Sequence, residues 1–197
     1  MTPGLPELHA RTQYTLFGTR LGSCGIAWTE RGLVRVQLPE ATAAHTEARL
    51  QRLGATRCDD ELPDFVVSCR GKLQRYFDGE RETFAGIALD TVNVAPFNAA
   101  IYASLRTLAW GQITTYGALA ELAGAPGTAR AVGAAMASNP WPIIVPCHRV
   151  LAASNKIGGF SAHGGADTKR ALLTLEGVHL DPPSLWDLQG SAALPAP

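Results

Sequence analysis

The stretch that most restricts the fold runs from residue 139 to residue 150, where three prolines bracket a short apolar run. Proline fixes its own φ and has no backbone N–H, so this stretch has little backbone freedom. The apolar run at residues 143–145 is therefore expected to be strand-like or extended. The three prolines are Pro140, Pro142 and Pro146.

Cys147 and His148 directly follow the last of these prolines. The thiolate is the reactive form of cysteine, and a neighbouring base or cation favours it. A thiol on a rigid support beside an imidazole could therefore act as a nucleophile. For an arbitrary pair, a buried structural cysteine next to a solvated histidine is the more common arrangement. The remaining sequence has to decide between these two interpretations.

Composition and charge narrow the class of protein. The chain has 197 residues, of which 46% are hydrophobic, enough for one domain or two small ones with a sizeable core. The formal net charge is zero, so this is not a polycation that binds nucleic acid by bulk charge. Residues 91–180 nevertheless carry six Lys or Arg against three Asp or Glu, a net +3 that permits a phosphate-facing surface. No apolar run is long enough to cross a membrane, so no membrane partner is expected.

The four cysteines favour a reduced intracellular compartment. No secretory signal precedes them and none forms a Cys-x-x-Cys pair, so free thiols are expected rather than disulfides. Their spacing gives no support to a metal site, and we expect neither a metal nor a cofactor. The cysteines are Cys24, Cys58, Cys69 and Cys147.

Residues 12–90 have the pattern of a small α/β domain. Short β-rich runs separated by turn residues predict a hairpin or meander over residues 14–38. Helical spacing is weak over residues 41–53 and clearer after Pro63. One more strand is expected over residues 83–89.

Residues 91–180 are expected to form a second, mainly helical domain. An apolar face that recurs at helical spacing predicts a helix over residues 97–108. Two shorter helices are predicted, one within residues 114–123 and capped by a threonine, the other capped by Thr128 and running through residue 138. The glycine-containing turn between them is typical of a helix-turn-helix. Residues 181–197 are rich in proline and small residues and are expected to be a poorly ordered tail.

The second helix of this pair has almost no side-chain bulk. Val132, Ala135 and Met136 can face the core, which leaves Arg130 among alanines and a glycine on the other faces. Such a helix is either buried on all sides or presents a smooth face to another surface. The glycine-rich loop at residues 157–165 also has two interpretations, because it can bring backbone N–H groups close to a ligand or serve as a mobile connector.

Ten positions in register match a known family. They are Tyr116, Arg130, Asn139, Pro146, Cys147, His148, Arg149, Val150, Ser161 and Glu176. On these positions the chain resembles the O6-alkylguanine-DNA alkyltransferases, or methylated-DNA–protein-cysteine methyltransferases, of the bacterial type. The match is clearest over residues 95–178. It implies a ribonuclease-H-like N-terminal α/β domain, with an antiparallel sheet plus helices, over residues 12–90. A mainly α C-terminal domain with a winged helix-turn-helix would follow over residues 91–180.

The resemblance implies DNA repair by direct reversal. Cys147 would be the alkyl acceptor: its thiolate attacks the alkyl carbon on guanine O6, and less readily on thymine O4, so each molecule acts once. His148 would take the thiol proton through a water, and Glu176 would orient His148. The partner would be double-stranded DNA containing O6-alkylguanine. The protein would be monomeric, cytoplasmic and associated with the nucleoid.

The resemblance also assigns the DNA contacts. A base inside a duplex cannot present O6 to a buried cysteine, so it must be flipped out. Arg130 would fill the space that the base leaves, while Ala129, Ala131 and Gly133 would let their helix approach the minor groove closely. Tyr116 would help rotate the nucleotide and donate to guanine N3.

The pocket for the flipped base is implied in the same way. The Val150 carbonyl, with that of Cys147, would accept from the guanine amine, and the Ser161 N–H would donate to O6. Met136 and Phe160 would form an apolar wall for the alkyl group. Asn139 would hold the bend between the recognition helix and the active-site segment, as part of the catalytic set.

Three features depart from the family pattern. Phe160 stands where a tyrosine is common, which removes one hydroxyl from the pocket rim. Ala162 and His163 lengthen the loop before Gly164. Ala137 occupies a place where some members carry a base, so fewer phosphate contacts are expected.

Three other functions compete with this one. A non-enzymatic alkyltransferase-like protein would flip damaged guanine and recruit excision repair, but in those relatives the cysteine is replaced, whereas Cys147 is present. A helix-turn-helix regulator would not be expected to have so smooth a second helix, nor the pairing of His148 with Glu176. A cysteine hydrolase would need an oxyanion hole and a substrate cleft that the sequence does not indicate.

Overall fold

The structure, a computed structural model, describes residues 11–180. The first half contains a four-stranded sheet in the order β3-β2-β1-β4, in which β1, β2 and β3 are antiparallel neighbours and β4 is parallel to β1. This confirms the predicted meander. Two-residue turns join its three strands, and Gly32 is required at the second turn because its φ is +142° and a Cβ there would lie 2.7 Å from the Ala88 carbonyl oxygen. The strands are β1 Gln13–Thr19, β2 Gly22–Thr29, β3 Gly32–Gln37 and β4 Thr56–Arg57.

Two helices of the first half have apolar faces that pack on this sheet. Helix α1, Ala43–Gln51, is capped by Thr42, whose hydroxyl accepts from the His45 N–H. Helix α2, Asp64–Phe77, starts after Pro63. Its apolar residues recur every three or four positions and are buried. The end of the helix contacts the second half of the chain, since the Tyr76 hydroxyl donates to Glu176. The buried residues of α2 are Val66, Cys69, Leu73, Tyr76 and Phe77.

The strand expected over residues 83–89 does not form. A single bridge joins Leu89 to Leu33, residues 85–86 form a turn, and the rest of the segment is irregular. The reason is that Arg106 takes the carbonyls that a strand neighbour would need. Its Nη2 donates to the carbonyls of Phe84, Ala85 and Ile87 over 2.8, 3.1 and 2.9 Å.

The second half is mainly helical, and its α4–α5 pair forms the predicted helix-turn-helix. Thr115 caps α4 as expected, since its hydroxyl accepts from the Ala118 N–H over 3.2 Å. The cap predicted for Thr128 is wrong, because its hydroxyl donates to the Ala125 carbonyl over 2.7 Å and makes no cap bond. The elements are α3 Pro96–Leu105, β5 Thr114–Thr115, α4 Tyr116–Leu122, α5 Ala129–Ala137, β6 Val150–Leu151 and α6 Gly165–Leu175, with β5 and β6 paired in parallel.

One hydrophobic core runs through both halves without a break. Hydrogen bonds also cross between them: Trp141 Nε1 donates to the Leu33 carbonyl over 2.8 Å, and the Val36 N–H donates to the Pro140 carbonyl over 2.9 Å. The site segment is therefore anchored directly on strand β3. Among residues 11–180 no helix is long and apolar enough to span a membrane. The tail predicted at residues 181–197 lies outside the described residues.

Candidate active site

The segment that leads to Cys147 is coiled, so the prediction of a strand-like run over residues 143–145 is wrong. Ile143 has a φ of +74°, in the left-handed region. The Val145 N–H donates back to the Trp141 carbonyl over 2.8 Å. A short 3₁₀ helix, Cys147–Arg149, follows. The coil turns the chain so that the thiol comes at the start of a helical turn instead of at the end of a strand.

Asn139 supplies the hydrogen bonds that a neighbouring strand would otherwise provide. Its Nδ2 donates to the Val145 carbonyl over 2.8 Å, and its Oδ1 accepts from the Trp141 N–H over 3.0 Å. A β-branched residue at positive φ costs about 1–3 kcal/mol, so the buried Ile143 needs a turn that is held from several sides. The role of Asn139 in holding the bend stays a prediction, and these two bonds support it.

Cys147 is buried, with 5% of its surface exposed. Burial raises the pKa of its thiol, while the hydrogen bond with Asn139 and the positive charge of Lys169 oppose that rise. At rest the residue is therefore a protonated thiol that needs a base before it can act as a nucleophile. All four cysteines are free, and burial raises the pKa values of Cys24 and Cys69 to about 12.

His148 directly follows Cys147 in the chain and is the candidate base for its thiol. It is fully buried, and its Nε2 lies 2.8 Å from Glu176 Oε1. The Glu176 carboxylate only accepts hydrogen bonds, so Nε2 carries the hydrogen and, in the neutral ring, Nδ1 is the acceptor. Burial lowers the pKa of His148, and the hydrogen bond with Glu176 opposes this. Within residues 11–180, Nδ1 is the one buried side-chain nitrogen or oxygen without a hydrogen-bond partner.

Glu176 is held ionised by the groups around it. Arg149 binds it bidentately: Nε donates to Oε2 over 2.8 Å and Nη2 donates to Oε1 over 2.9 Å. The Gly111 N–H donates to Oε2 over 3.1 Å, and the Tyr76 hydroxyl donates to Oε1 over 2.8 Å. Although burial alone would raise it, the hydrogen bonds and charges of His148 and Arg149 keep the pKa of Glu176 well below its ordinary range.

The end of helix α6 fixes the position of Glu176. Gly177 follows with a φ of +80°, its N–H donates to the Thr174 carbonyl, and the Val178 N–H donates to the Leu173 carbonyl. This pair of bonds is the Schellman arrangement, in which glycine ends the helix because it tolerates the left-handed conformation. The carboxylate therefore projects from a rigid helix end into the buried cluster.

A cavity of about 270 Å³ opens onto Cys147. Three of the four predicted pocket residues line it, and so do Tyr116 and Gly133, which were predicted to contact DNA. Val150 does not line it: the residue is fully buried, and its carbonyl accepts from Lys169 Nζ over 2.6 Å. The lining residues are Tyr116, Gly133, Met136, Ala137, Cys147, Gly159, Phe160 and Ser161.

Helix α5 forms one wall of this cavity and exposes its other side. Val132, Ala135 and Met136 are buried. Arg130 and Ala131 are exposed, and Ala129 and Gly133 are partly so. The interpretation of α5 as a helix buried on all sides is therefore excluded. Its outer surface is smooth apart from the single guanidinium of Arg130.

The sequence did not point to three of the residues that surround Cys147, His148 and Glu176. Tyr76 has the spacing of an ordinary core residue on α2, and nothing in the sequence relates it to a glutamate in the second half. Arg149 belongs to the matched motif, but no role had been assigned to it. Lys169 is fully buried, donates to Val150, and lies 3.4 Å from the Gly159 carbonyl oxygen. A lysine on the inward side of α6 was the available signal.

A helix-turn-helix followed by a buried thiol beside a histidine is typical of a nucleic-acid-binding protein with a reactive cysteine. Comparison with known proteins identifies the family. Residues 12–91 match the ribonuclease-like domain of 6-O-methylguanine DNA methyltransferase, and residues 96–178 match the DNA-binding domain of the same family.

Individual relatives agree with this match. A methylated-DNA–protein-cysteine methyltransferase of Cricetulus griseus is 33% identical over 189 residues, which cover 90% of this chain and 88% of that protein. The protein of the same name from Mycolicibacterium paratuberculosis is 46% identical over 119 residues, 60% of this chain and 70% of that protein. The crystal structure of Mycobacterium tuberculosis OGT in complex with DNA is similar with a TM-score of 0.68 at 35% identity, over 83% of this chain and 92% of that chain. The chain belongs to the 6-O-methylguanine DNA methyltransferase family, so the resemblance and the fold class predicted from the sequence are confirmed.

Proposed function

We propose that this protein repairs DNA by direct reversal, transferring the alkyl group of O6-alkylguanine irreversibly to its own cysteine. The observation that carries the proposal is a buried thiol, Cys147, which opens onto a cavity and is followed in the chain by a histidine base. His148 has an unpartnered Nδ1 and is hydrogen-bonded through Nε2 to an ionised Glu176. Family membership gives the substrate class.

The reaction forms one bond and breaks one. His148 Nδ1 accepts the Cys147 proton through a bridging water, and the resulting thiolate attacks the alkyl carbon. The carbon–oxygen bond breaks and its electron pair stays on guanine. One proton, equivalent to the one that His148 took from the thiol, then restores neutral guanine and neutral His148. Glu176 stabilises the imidazolium during this step, as the third member of a triad does. The thioether product is stable, so each molecule reacts once.

The outer face of α5 is suited to the DNA contact. Its small side chains permit close approach to a minor groove, and Arg130 is the one long side chain available to fill the place of a flipped base. Tyr116 and Ser161, at the cavity, would contact the base itself through the Tyr116 hydroxyl and the Ser161 N–H. Met136 and Phe160 would face the alkyl group. Low sequence specificity follows, because the small side chains on the outer face of α5 cannot read base edges.

Three further predictions remain proposals, on the domain division, the oligomeric state and the location. We propose that residues 12–90 and 91–180 are the two domains, a division supported by the separate family matches at residues 12–91 and 96–178. We also propose a monomer in the cytoplasm, associated with the nucleoid, since the four thiols are free and the substrate is duplex DNA.

The function is tested by following a labelled methyl group. The protein is incubated with a duplex oligonucleotide that carries methyl-labelled O6-methylguanine, and the label is located by peptide mass spectrometry. We expect stoichiometric transfer to Cys147, none in Cys147→Ser, and normal transfer in Cys58→Ser, which removes a half-buried thiol elsewhere. Tight binding to the lesion with no transfer would instead favour a damage-recognition protein without chemistry.

A further inference from the structure

The Cys147 site contains one side chain from the first half of the chain. Tyr76 lies in the last turn of α2 and is fully buried. Its hydroxyl donates to Glu176 Oε1 over 2.8 Å, and the same hydroxyl oxygen lies 3.3 Å from His148 Nε2. Tyr76 therefore contacts both partners of the histidine–carboxylate pair, although it comes from the sheet-containing half of the molecule.

The direction of this hydrogen bond is fixed. Burial, followed by the charge of Glu176, raises the pKa of Tyr76 well above its ordinary value of 10.0. The hydroxyl thus stays protonated, and the ionised carboxylate can only accept. Hydrogen bonds from a buried donor to a charged acceptor are among the strong ones in proteins.

The charged and titratable groups that face His148 come from three directions. Cys147 and Arg149 adjoin it on the 3₁₀ helix, Lys169 and Glu176 approach from α6 and its end, and Tyr76 approaches from α2. Oε1 of Glu176 accepts from Tyr76, His148 and Arg149 together. Among these three donors only Tyr76 is uncharged throughout the reaction, so removing its hydroxyl changes the strength of Oε1 as an acceptor without removing a charge.

We propose that Tyr76 is a positioning residue for alkyl transfer: its hydroxyl fixes Glu176 Oε1 opposite His148 Nε2 and limits how strongly the carboxylate holds a proton on the imidazole. The inference rests on the proposed function. Without the hydroxyl, Oε1 becomes a stronger acceptor for the Nε2 hydrogen, and the imidazolium is favoured. The neutral base that must accept the Cys147 proton is then scarcer at low pH.

The ring of Tyr76 does not need the hydroxyl in order to pack. It meets Phe77 and Trp110 edgewise with ring centroids 5.3 Å away in each case, and Phe84 at 6.1 Å. Phenylalanine fills the same space and keeps these contacts. The substitution Tyr76→Phe thus isolates the hydrogen bond to Glu176.

A matched control exists in the same half of the chain. The buried Tyr14 donates to Glu47 Oε1 over 2.8 Å, and this carboxylate also binds Arg57 over 2.8 Å. Tyr14→Phe therefore also removes a hydroxyl that donates to a glutamate paired with an arginine. It does so without touching the site residues.

The experiment measures the single-turnover rate of alkyl transfer against pH for the full-length wild type, Tyr76→Phe and Tyr14→Phe. Both a methylated duplex and free O6-benzylguanine serve as substrates. We expect the acid limb of the Tyr76→Phe profile to move to higher pH, with a rate about tenfold lower on both substrates near pH 6 and little changed near pH 8. Tyr14→Phe should follow the wild-type profile, and binding of unmodified duplex should be the same for all three proteins.

The outcomes separate this inference from the function beneath it. If the wild type transfers and the acid limb of Tyr76→Phe stays in place or moves to lower pH, the positioning role is overturned and the proposed function stands. If Tyr76→Phe and Tyr14→Phe both lowered the transfer rate equally at every pH, Tyr76 would be a structural residue, and the positioning role would again be overturned. Absence of transfer by the wild type overturns both.

Discussion

Lys169 brings a positive charge into the interior, where it acts on the Cys147 thiol. It is fully buried, and burial lowers its pKa to about 8, so it is still largely charged at neutral pH. Its Nζ also donates to the Val150 carbonyl over 2.6 Å. The charge opposes the rise in the pKa of Cys147, and the hydrogen bond joins α6 to strand β6, which directly follows the 3₁₀ helix.

Lys169→Met should therefore weaken both stability and reaction. We expect a loss of about 2 kcal/mol in the free energy of unfolding, since a buried carbonyl loses its donor. The reaction with free O6-benzylguanine should slow because the thiol becomes harder to ionise. Urea unfolding and a single-turnover assay measure the two effects. Lys72→Met, which removes a lysine paired with Glu82 on the flank of α2, should leave the rate unchanged.

Among the residues of the site, the sequence identified those that belong to a local motif. Cys147 and His148 are neighbours in the chain, and Glu176 could be placed through the family register. Tyr76 could not be found, because its contact with Glu176 joins positions 100 residues apart. Its helical spacing is that of any core tyrosine, and only the packing of α2 against the second half distinguishes it.

Helix α5 concentrates the expected DNA contact in one side chain. Arg130 is exposed on a face that otherwise carries alanine and glycine. Arg130→Ala should slow repair of a methylated duplex by at least tenfold, because extrusion of the base then lacks a group to fill the stack. Reaction with free O6-benzylguanine, which needs no flipping, should change less than twofold.

The exposed Arg52, in the first half of the chain, provides the control for charge. Arg52→Ala loses one positive charge without altering α5, and it should repair the duplex at the wild-type rate. Equal losses on duplex and free base for Arg130→Ala would contradict the flipping role. Single-turnover rates on the two substrates are sufficient for this comparison.

Elements were predictable where the local pattern determines them. The meander and the helix-turn-helix follow from turn residues and apolar spacing, although only one of the two predicted threonine caps forms. Two other segments, residues 83–89 and 143–145, do not form the extended structure expected of them. In both, side chains bind backbone groups that a neighbouring strand would have bound. Arg106 binds three carbonyls of the segment at residues 83–89, and Asn139 closes the turn before Cys147. Such long-range or folded-back bonds leave no periodic signal.

The buried cluster around Glu176 is also part of the interface between the two halves. Glu176 binds Arg149 and the Gly111 N–H from the second half and Tyr76 from the first. The continuous core extends around it. Composition and pattern indicated two units, but they could not show that the units share one core and one buried ion pair.

The stability of the molecule should therefore depend on the charge of Glu176. Its pKa in the folded state lies below the unfolded value near 4.5. The ionised carboxylate thus stabilises the fold above that value, and the stabilisation is lost as pH falls toward the folded pKa. Glu176→Gln leaves Arg149 buried without its counter-charge and should cost about 3 kcal/mol at about pH 7.

Urea unfolding at several pH values measures this dependence. The difference in unfolding free energy between wild type and Glu176→Gln should be largest at neutral pH and shrink below about pH 4.5. Below that pH the carboxylate is protonated in the unfolded chain while it is still ionised in the folded protein, so unfolding becomes easier. Glu47→Gln is the control, because Glu47 pairs with Arg57 at a 24% exposed side chain, where ion pairs contribute little. If the two variants lost stability equally, the carboxylate of the reaction site would not hold the two halves together. Mutations that change the pKa of His148 would then leave the fold unaffected. A larger loss for Glu176→Gln means that reactivity and stability depend on the same ion pair, Glu176 with Arg149.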